Sequence, residues 1–332
     1  MVIVDDQMVA PGGGLPLKYR ALLETLADKL EKGRCLIFLG AGASVDLAAP
    51  ADLPTGQELA KELAAKCHLE WHRYVPLSTT AFYYEFFYTR EGLNDLLQAR
   101  IGNPAIAPSR TIRKLVEIVE LLEQRGKQVF IVTTNYDQHF ERAYRERLQR
   151  DPQVIVYRGA EDPNNNEAQL HLGMDESPEF WRPQEPTTYL YKMHGSISNP
   201  GGQGLVVTEE DYINFLANAQ SYDPQKSLAA EVRGRIGRST VLFVGYSLAD
   251  WNFRVIFKAT AERNRSDQRE SVAVWSFAPP EDPLEHEREQ DRWQAAVEFW
   301  GRKKVRVVDR DAFEFMSHLR QFLERPQGNQ AD

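Results

Sequence analysis

The sequence predicts an α/β protein built on a doubly wound parallel sheet. Three observations carry that expectation. Short apolar runs such as "CLIFL" (35–39), "QVFIV" (128–132) and "TVLFV" (240–244) have the length and composition of strands buried on both faces. Stretches of helical periodicity separate them, as the crossovers between parallel strands require. Several of these strands end abruptly in polar or glycine-bearing turns, at the carboxyl ends where sheets of this kind bind ligands.

The elements follow in order. Residues 1–16, with "PGGG", read as a flexible arm. Leu22, Leu23, Leu26 and Leu30 recur at helical spacing across 17–32, and Gly33 stops that helix. "CLIFL" is the first strand. "LPTGQELAKELAAKC" is the next helix, where Thr55 and Glu58 have capping-box spacing. Residues 79–124 read as mostly helical, broken at Pro104 and Pro108. "QVFIVTTN" is a buried strand and "QHFERAYRERLQ" a helix with Phe140 and Tyr144 on one face. "VIVY" (154–157) is a strand, and 158–186, rich in Pro, Asn, Asp and Glu, is a surface excursion that could also cover a pocket as a lid. "TYLYKMHGS" returns to a strand ending at His194-Gly195. "LVVTEEDYINFLANA" reads as a short strand and a helix, "STVLFVGYS" as a strand, and "DWNFRVIFKATAER" as the helix behind it. "SVAVWSF" and "KVRVV" are the last strands, "DAFEFMSHLRQFLE" the last helix, and 326–332 a disordered tail.

The composition narrows the function. A chain of 332 residues, 42% hydrophobic, can bury one large core or two modest ones. A net charge of -8 argues against non-specific nucleic-acid binding. Cys35 and Cys67 are too few for a four-cysteine zinc site, and Cys35 reads as a core residue. No basic segment precedes an apolar leader, and no run reaches the ~18 apolar residues of a membrane span. The expectation is a soluble, cytoplasmic protein.

Four turns carry the chemistry. In "FLGAGAS", Gly40 and Gly42 let backbone N–H groups approach a phosphate, or they make a plain strand-to-helix turn. No Lys-Ser/Thr follows, which excludes a P-loop. "TTNYD" ends a buried strand on an amide and a carboxylate. Asp137 could cap the next helix, but Asn135 is harder to explain as structure, since an amide suits ribose hydroxyls or a positioned water. His194 in "KMHGS" stands at a strand end before a glycine, and is either structural or a base. In "VGYSLAD", Gly245, Tyr246 and Ser247 either meet phosphate oxygens or form a turn capped by Ser247 and Asp250. The stripe "AFYYEFFY" is either the core of a smaller domain or an oligomer or partner surface.

Together "GAGAS", "TTNYD", "HGS" and "GYS", in this order, resemble the motifs of the Sir2 family, and specifically its bacterial Sir2-like branch, from about residue 35 to about 260. "LVVTEEDYINF" also resembles the stretch after His-Gly in that branch. The resemblance implies a Rossmann-like domain over 17–325, with its core at about 33–58 and 126–325 and a smaller helical insertion at about 60–124. It implies NAD as substrate, with Gly40, Ala41, Gly42 and Ser44 on the pyrophosphate side, Thr133, Asn135 and Asp137 near the nicotinamide ribose, His194 as base, and Gly245, Tyr246 and Ser247 at the adenosine half. Asn135, His194 and Asp137 form the implied catalytic set.

Two departures stand out. There are no CxxC pairs, so the insertion is expected to lack the sirtuin zinc. "VDLAAPADLPTGQEL" also replaces the "Gly-Ile-Pro-Asp-Phe-Arg" type of segment. Members of this pattern resemble NAD-depleting effectors of anti-phage defence by abortive infection. They act as homo-oligomers or beside a HerA-type ATPase, an Argonaute-like protein or a nucleotide-signal sensor, with no direct membrane association. NAD hydrolysis to nicotinamide and ADP-ribose is the expected reaction. NAD-dependent protein deacetylation and a non-catalytic NAD- or ADP-ribose-sensing module stay open beside it.

Overall fold

The computed structural model describes residues 15–46, 53–73, 75–157, 188–199, 202, 204–220, 235, 237–246, 270–277 and 283–325. Ser247, most of the N-terminal arm, the 158–186 excursion, the "DWNFRVIFKATAER" segment and the tail lie outside them.

Helix α1 (Leu17–Glu31) buries Leu22, Leu23, Leu26 and Leu30 and ends where Gly33 turns at φ +61°. Strand β1 (Cys35–Leu39) is buried throughout. Helix α2 (Gly56–Lys66) opens on the expected capping box, Thr55 Oγ1 accepting from Glu58 N–H and the Glu58 carboxylate accepting from Thr55 N–H. The proline-broken region gives α3 (Leu77–Ile101) and α4 (Arg110–Gln124). β2 (Val129–Thr133), α5 (His139–Leu148), β3 (Gln153–Val156) and β4 (Thr188–Lys192) follow. The remainder is α6 (Glu209–Gln220), β5 (Thr240–Val244), β6 (Ser271–Val274), α7 (Pro283–Arg302), β7 (Val305–Val308) and α8 (Ala312–Glu324).

The seven strands form one sheet in the order β3-β4-β2-β1-β5-β6-β7, and every pairing is parallel. The fold is therefore the expected α/β architecture with a Rossmann-like sheet. The chain leaves β1 for β2 on one side and later joins β5 on the other. The topological switch, where such sheets open a crevice, thus falls at the carboxyl end of β1. Alternation sorts the side chains: Ile37, Leu39, Ile131 and Leu190 face the core beneath α1, α4, α5 and α8, while Leu36, Phe38, Val132 and Tyr191 face the core with α6 and α7. A third cluster, with Leu59, Leu63, Leu93 and Leu97 of α2 and α3, also takes in Ile197, Leu205 and Val207 from the loops after β4.

Three details differ from the sequence reading, and a fourth bears on an alternative that the sequence leaves open. The "LVV" run (205–207) is not a strand. Its N–H groups go to the Gly202 and His194 carbonyls and the Asp211 carboxylate, and its apolar side chains are buried without a ladder partner. The aromatic stripe of α3 does not fill the insertion's core: Phe86 is 75% exposed and Phe87 56%, and Tyr84 is the one aromatic of that run that is buried, beside Ala81. Helix α4, counted with the insertion, packs into the sheet core through Ile112, Leu115 and Val119. Helix α7 has no counterpart among the elements that the sequence predicts. Its charged first half masks the stripe Trp293, Val297 and Trp300 that seats it on the sheet.

Candidate active site

The turns after β1 and β5 interlock. Gly40 N–H donates to Val244 O at 3.0 Å and Gly42 N–H to Gly245 O at 2.8 Å. A side chain at Gly40 would strike the Tyr246 ring, and one at Gly42 would strike the Gly245 carbonyl at 2.9 Å. Gly245 itself turns at φ +66°, with Gly42 and Ala43 backbone against the place a Cβ would occupy. These glycines are thus explained by loop packing. Ala43 N–H and Ser44 N–H also bond within the turn, which is a single 3-10 turn (Ala41–Ala43) rather than the start of a long helix. The polar handle left there is the Ser44 hydroxyl.

The turn after β2 is equally fixed. Thr133 Oγ1 donates to Leu39 O at 3.1 Å and accepts from Asn135 N–H at 3.0 Å. Asn135 Nδ2 donates to Gly40 O and to Ser44 Oγ, each at 3.1 Å. Its Oδ1 is buried and has no partner among the described residues. Asp137 is buried too, and one carboxylate oxygen accepts from His139 N–H at 2.9 Å, so it steadies the start of α5 as a capping side chain would.

His194 lies two residues beyond β4, 2% exposed, with Tyr212 and Phe215 of α6 edge-on to its ring at 5.1 and 5.2 Å. Its Nε2 has no partner among the described residues. Burial pushes its pKa down to about 3, so the imidazole is neutral at physiological pH. Gly195, at φ +81°, packs against Gly204 and Leu205 and turns the chain beneath it. Met193 N–H donates to Thr133 O and Ile197 N–H to Tyr136 O, both at 2.9 Å, which stitches the His194 segment to the Asn135 segment.

The structure gathers Ser44, Thr133, Asn135 and Asp137 around a small recess floored by Leu39, Ile112, Phe140 and Leu190. His194 is not among the lining residues and stands at the neighbouring strand end. Gly40, Ala41, Gly42, Gly245 and Tyr246 do not line it either and belong to the interlocked turns after β1 and β5.

Three charged or titratable residues of this region escaped the sequence reading. Lys192, fully buried, bonds to Glu141 at 2.9 Å and to the carbonyls of Tyr136 and Asp137. Glu141 also lines the recess. His139 is buried with neither ring nitrogen partnered among the described residues, and burial foremost lowers its pKa. The available signal was Lys192 itself, a cation inside an apolar strand at a position that alternates with Leu190. Cys35 is buried, and its thiol is pushed up to about 12 by burial, which makes it inert. Among the described residues no group of three or more His, Cys, Asp or Glu could hold a metal ion, and no helix is long and apolar enough to cross a membrane.

Comparison with known proteins adds two findings. The SIR2-like domain matches residues 129–300. The NAD(+) hydrolase ThsA of Enterococcus faecium is 25% identical over 311 residues, 90% of this chain and 57% of that protein. The chain spans little more than half the length of that relative.

Proposed function

We propose, on the premise that this chain belongs to the SIR2-like domain family, that it hydrolyses the bond between nicotinamide and ribose in NAD. One observation carries the reading. Asn135 Oδ1 and His194 Nε2, on strand-end segments bonded to each other, are buried polar atoms without a partner among the described residues. Native proteins rarely bury such atoms idle, and a hydroxyl-rich substrate would satisfy both. The similarity to a NAD(+) hydrolase points the same way.

The chemistry asks little of the protein as an acid. The pyridinium takes the bonding electrons as the C1′–N bond breaks and leaves as neutral nicotinamide. The ribose develops oxocarbenium character, and water attacks C1′ and gives up a proton. In this reading Asp137 supplies negative potential beside the ribose. Asn135 holds a ribose hydroxyl or the attacking water through Oδ1. His194, neutral before substrate enters, takes the proton. A hydroxyl or water bonded to Nε2 restores part of its lost solvation and raises its proton affinity. Ser44, held by Asn135, borders the pyrophosphate with Gly40, Ala41 and Gly42. Thr133 supports the ribose turn, and Gly245, Tyr246 and Ser247 serve the adenosine half. The biological role in this reading is NAD depletion in bacterial defence against phage, as a homo-oligomer or beside a partner.

The test is NAD consumption by purified wild type, His194→Ala and Asn135→Ala, with products separated by chromatography and no acetylated peptide present. Nicotinamide and ADP-ribose are expected from wild type, with a loss of ~10²–10⁴ in rate for each variant. Near-normal turnover by either variant would overturn the assignment. Consumption that requires an acetyl-lysine peptide would mark a deacylase instead.

A further inference from the structure

We infer that Lys192, with Glu141, is a positioning pair for this site: the buried ammonium sets the turn that presents Asn135 and Asp137. The inference rests on the hydrolytic reading above for its catalytic consequence, and on geometry alone for its structural one.

Lys192 is the last residue of β4, opposite Thr133 of β2 in the parallel register, and is 0% exposed. Alternation turns its side chain to the face of Leu190, beneath α5. An ammonium has three N–H donors. Here they meet Asp137 O, Tyr136 O at 3.4 Å and Glu141 Oε1 at 2.9 Å. None of these acceptors belongs to the sheet. Two are carbonyls of the turn between β2 and α5, and the third is a carboxylate in the first turn of α5 that lines the recess beside Asn135 and Asp137.

Burying a cation is unfavourable unless every donor is bonded, and an apolar side chain of similar length would fill the same space. A strand end with only a packing task has no use for this arrangement. What the ammonium does is gather carbonyls that would otherwise diverge, and fix the peptide planes on both sides of Asp137. The same turn is held from outside by Ile197 N–H on Tyr136 O and by Tyr136 Oη on Val206 O at 2.6 Å. Lys192 supplies the inner anchor. Losing it lets Asn135 Oδ1 and the Asp137 carboxylate drift relative to His194, whose own segment is fastened to the same carbonyl.

The test uses the full chain as Lys192→Met and as Lys192→Met/Glu141→Gln, the double variant leaving no unpaired buried carboxylate if the single one fails to fold. In NAD hydrolysis the double variant is expected to keep KM within about 3-fold while kcat falls ~10²-fold, the signature of misplacement rather than lost binding. Amide exchange should quicken across 134–141 and stay unchanged in β5 and α8. A kcat within about 3-fold of wild type would overturn the catalytic half. Unchanged exchange across 134–141 would overturn the inference altogether. If wild type itself consumes no NAD, the hydrolytic reading has failed and the exchange result alone decides whether Lys192 positions the turn.

Discussion

Asn135 Nδ2 stands 3.1 Å from Ser44 Oγ, so the turn after β2 is fastened to the turn after β1. The same nitrogen reaches Gly40 O, which leaves Oδ1 as the buried end of the amide without a partner among the described residues. Structure and proposed chemistry therefore use opposite ends of one side chain.

Asn135→Ala is expected to do two separable things. It strands the Gly40 carbonyl and loosens Ser44, at a cost of about 1–3 kcal/mol by urea denaturation. It also lowers NAD turnover by at least ~10²-fold at saturating substrate. A variant as stable and as active as wild type would refute both uses of the amide.

Gly245 and Gly33 share a positive φ, +66° and +61°, but differ in their surroundings. Nothing lies within 4 Å of a Cβ at Gly33, whereas one at Gly245 runs into the Gly42–Ala43 backbone. Gly33→Ala should cost about 1 kcal/mol, from backbone strain alone. Gly245→Ala should cost several-fold more and weaken NAD binding, because the β1 turn must move. Equal melting temperatures for the two variants would contradict the interlock.

His194 makes stability depend on pH. In the unfolded chain its imidazole takes a proton near ~6.5. Folded, it resists protonation down to about 3. The stability it contributes is present in full above ~6.5 and is lost as the pH falls from there toward 3, at up to about 1.4 kcal/mol per pH unit. Urea melts at three pH values across that window should show this slope in wild type and a shallower one in His194→Phe, which keeps an aromatic ring between Tyr212 and Phe215. Parallel slopes would mean that His194 is not desolvated.

The outward aromatics of α3 invite a contrast. Phe86→Ser, at a residue 75% exposed, should change unfolding free energy by no more than about 0.5 kcal/mol. Tyr84→Ala, inside the insertion's core, should cost about 3 kcal/mol. Comparable losses in calorimetry would return the whole stripe to the core.

Much of the fold was legible because its signals are local. Apolar runs of five residues, the Thr55–Glu58 cap and glycine stops declare themselves within a few positions, and each became the expected element. Local signals failed where apolar content and environment parted company. "LVV" looks like a strand, yet has no strand to pair with. "AFYYEFFY" reads as either core or surface, because a helix face is assigned by what packs on it. In α7, Trp293, Val297 and Trp300 lie among charges that conceal their spacing.

The sequence by itself determined which residue types stand where apolar runs end, because strand and turn propensities act over a few residues. It also determined, through the order of four short motifs, the family that the chain resembles. Only the tertiary structure decided that β2 and β5 flank β1, so that Asn135 meets Gly40 and Ser44 across more than ninety residues of chain. It alone placed Lys192 beneath the turn and desolvated His194. The reason is physical: a hydrogen bond between distant segments, and the burial that shifts a pKa, depend on register and packing, and neither is encoded in the spacing of neighbours along the chain.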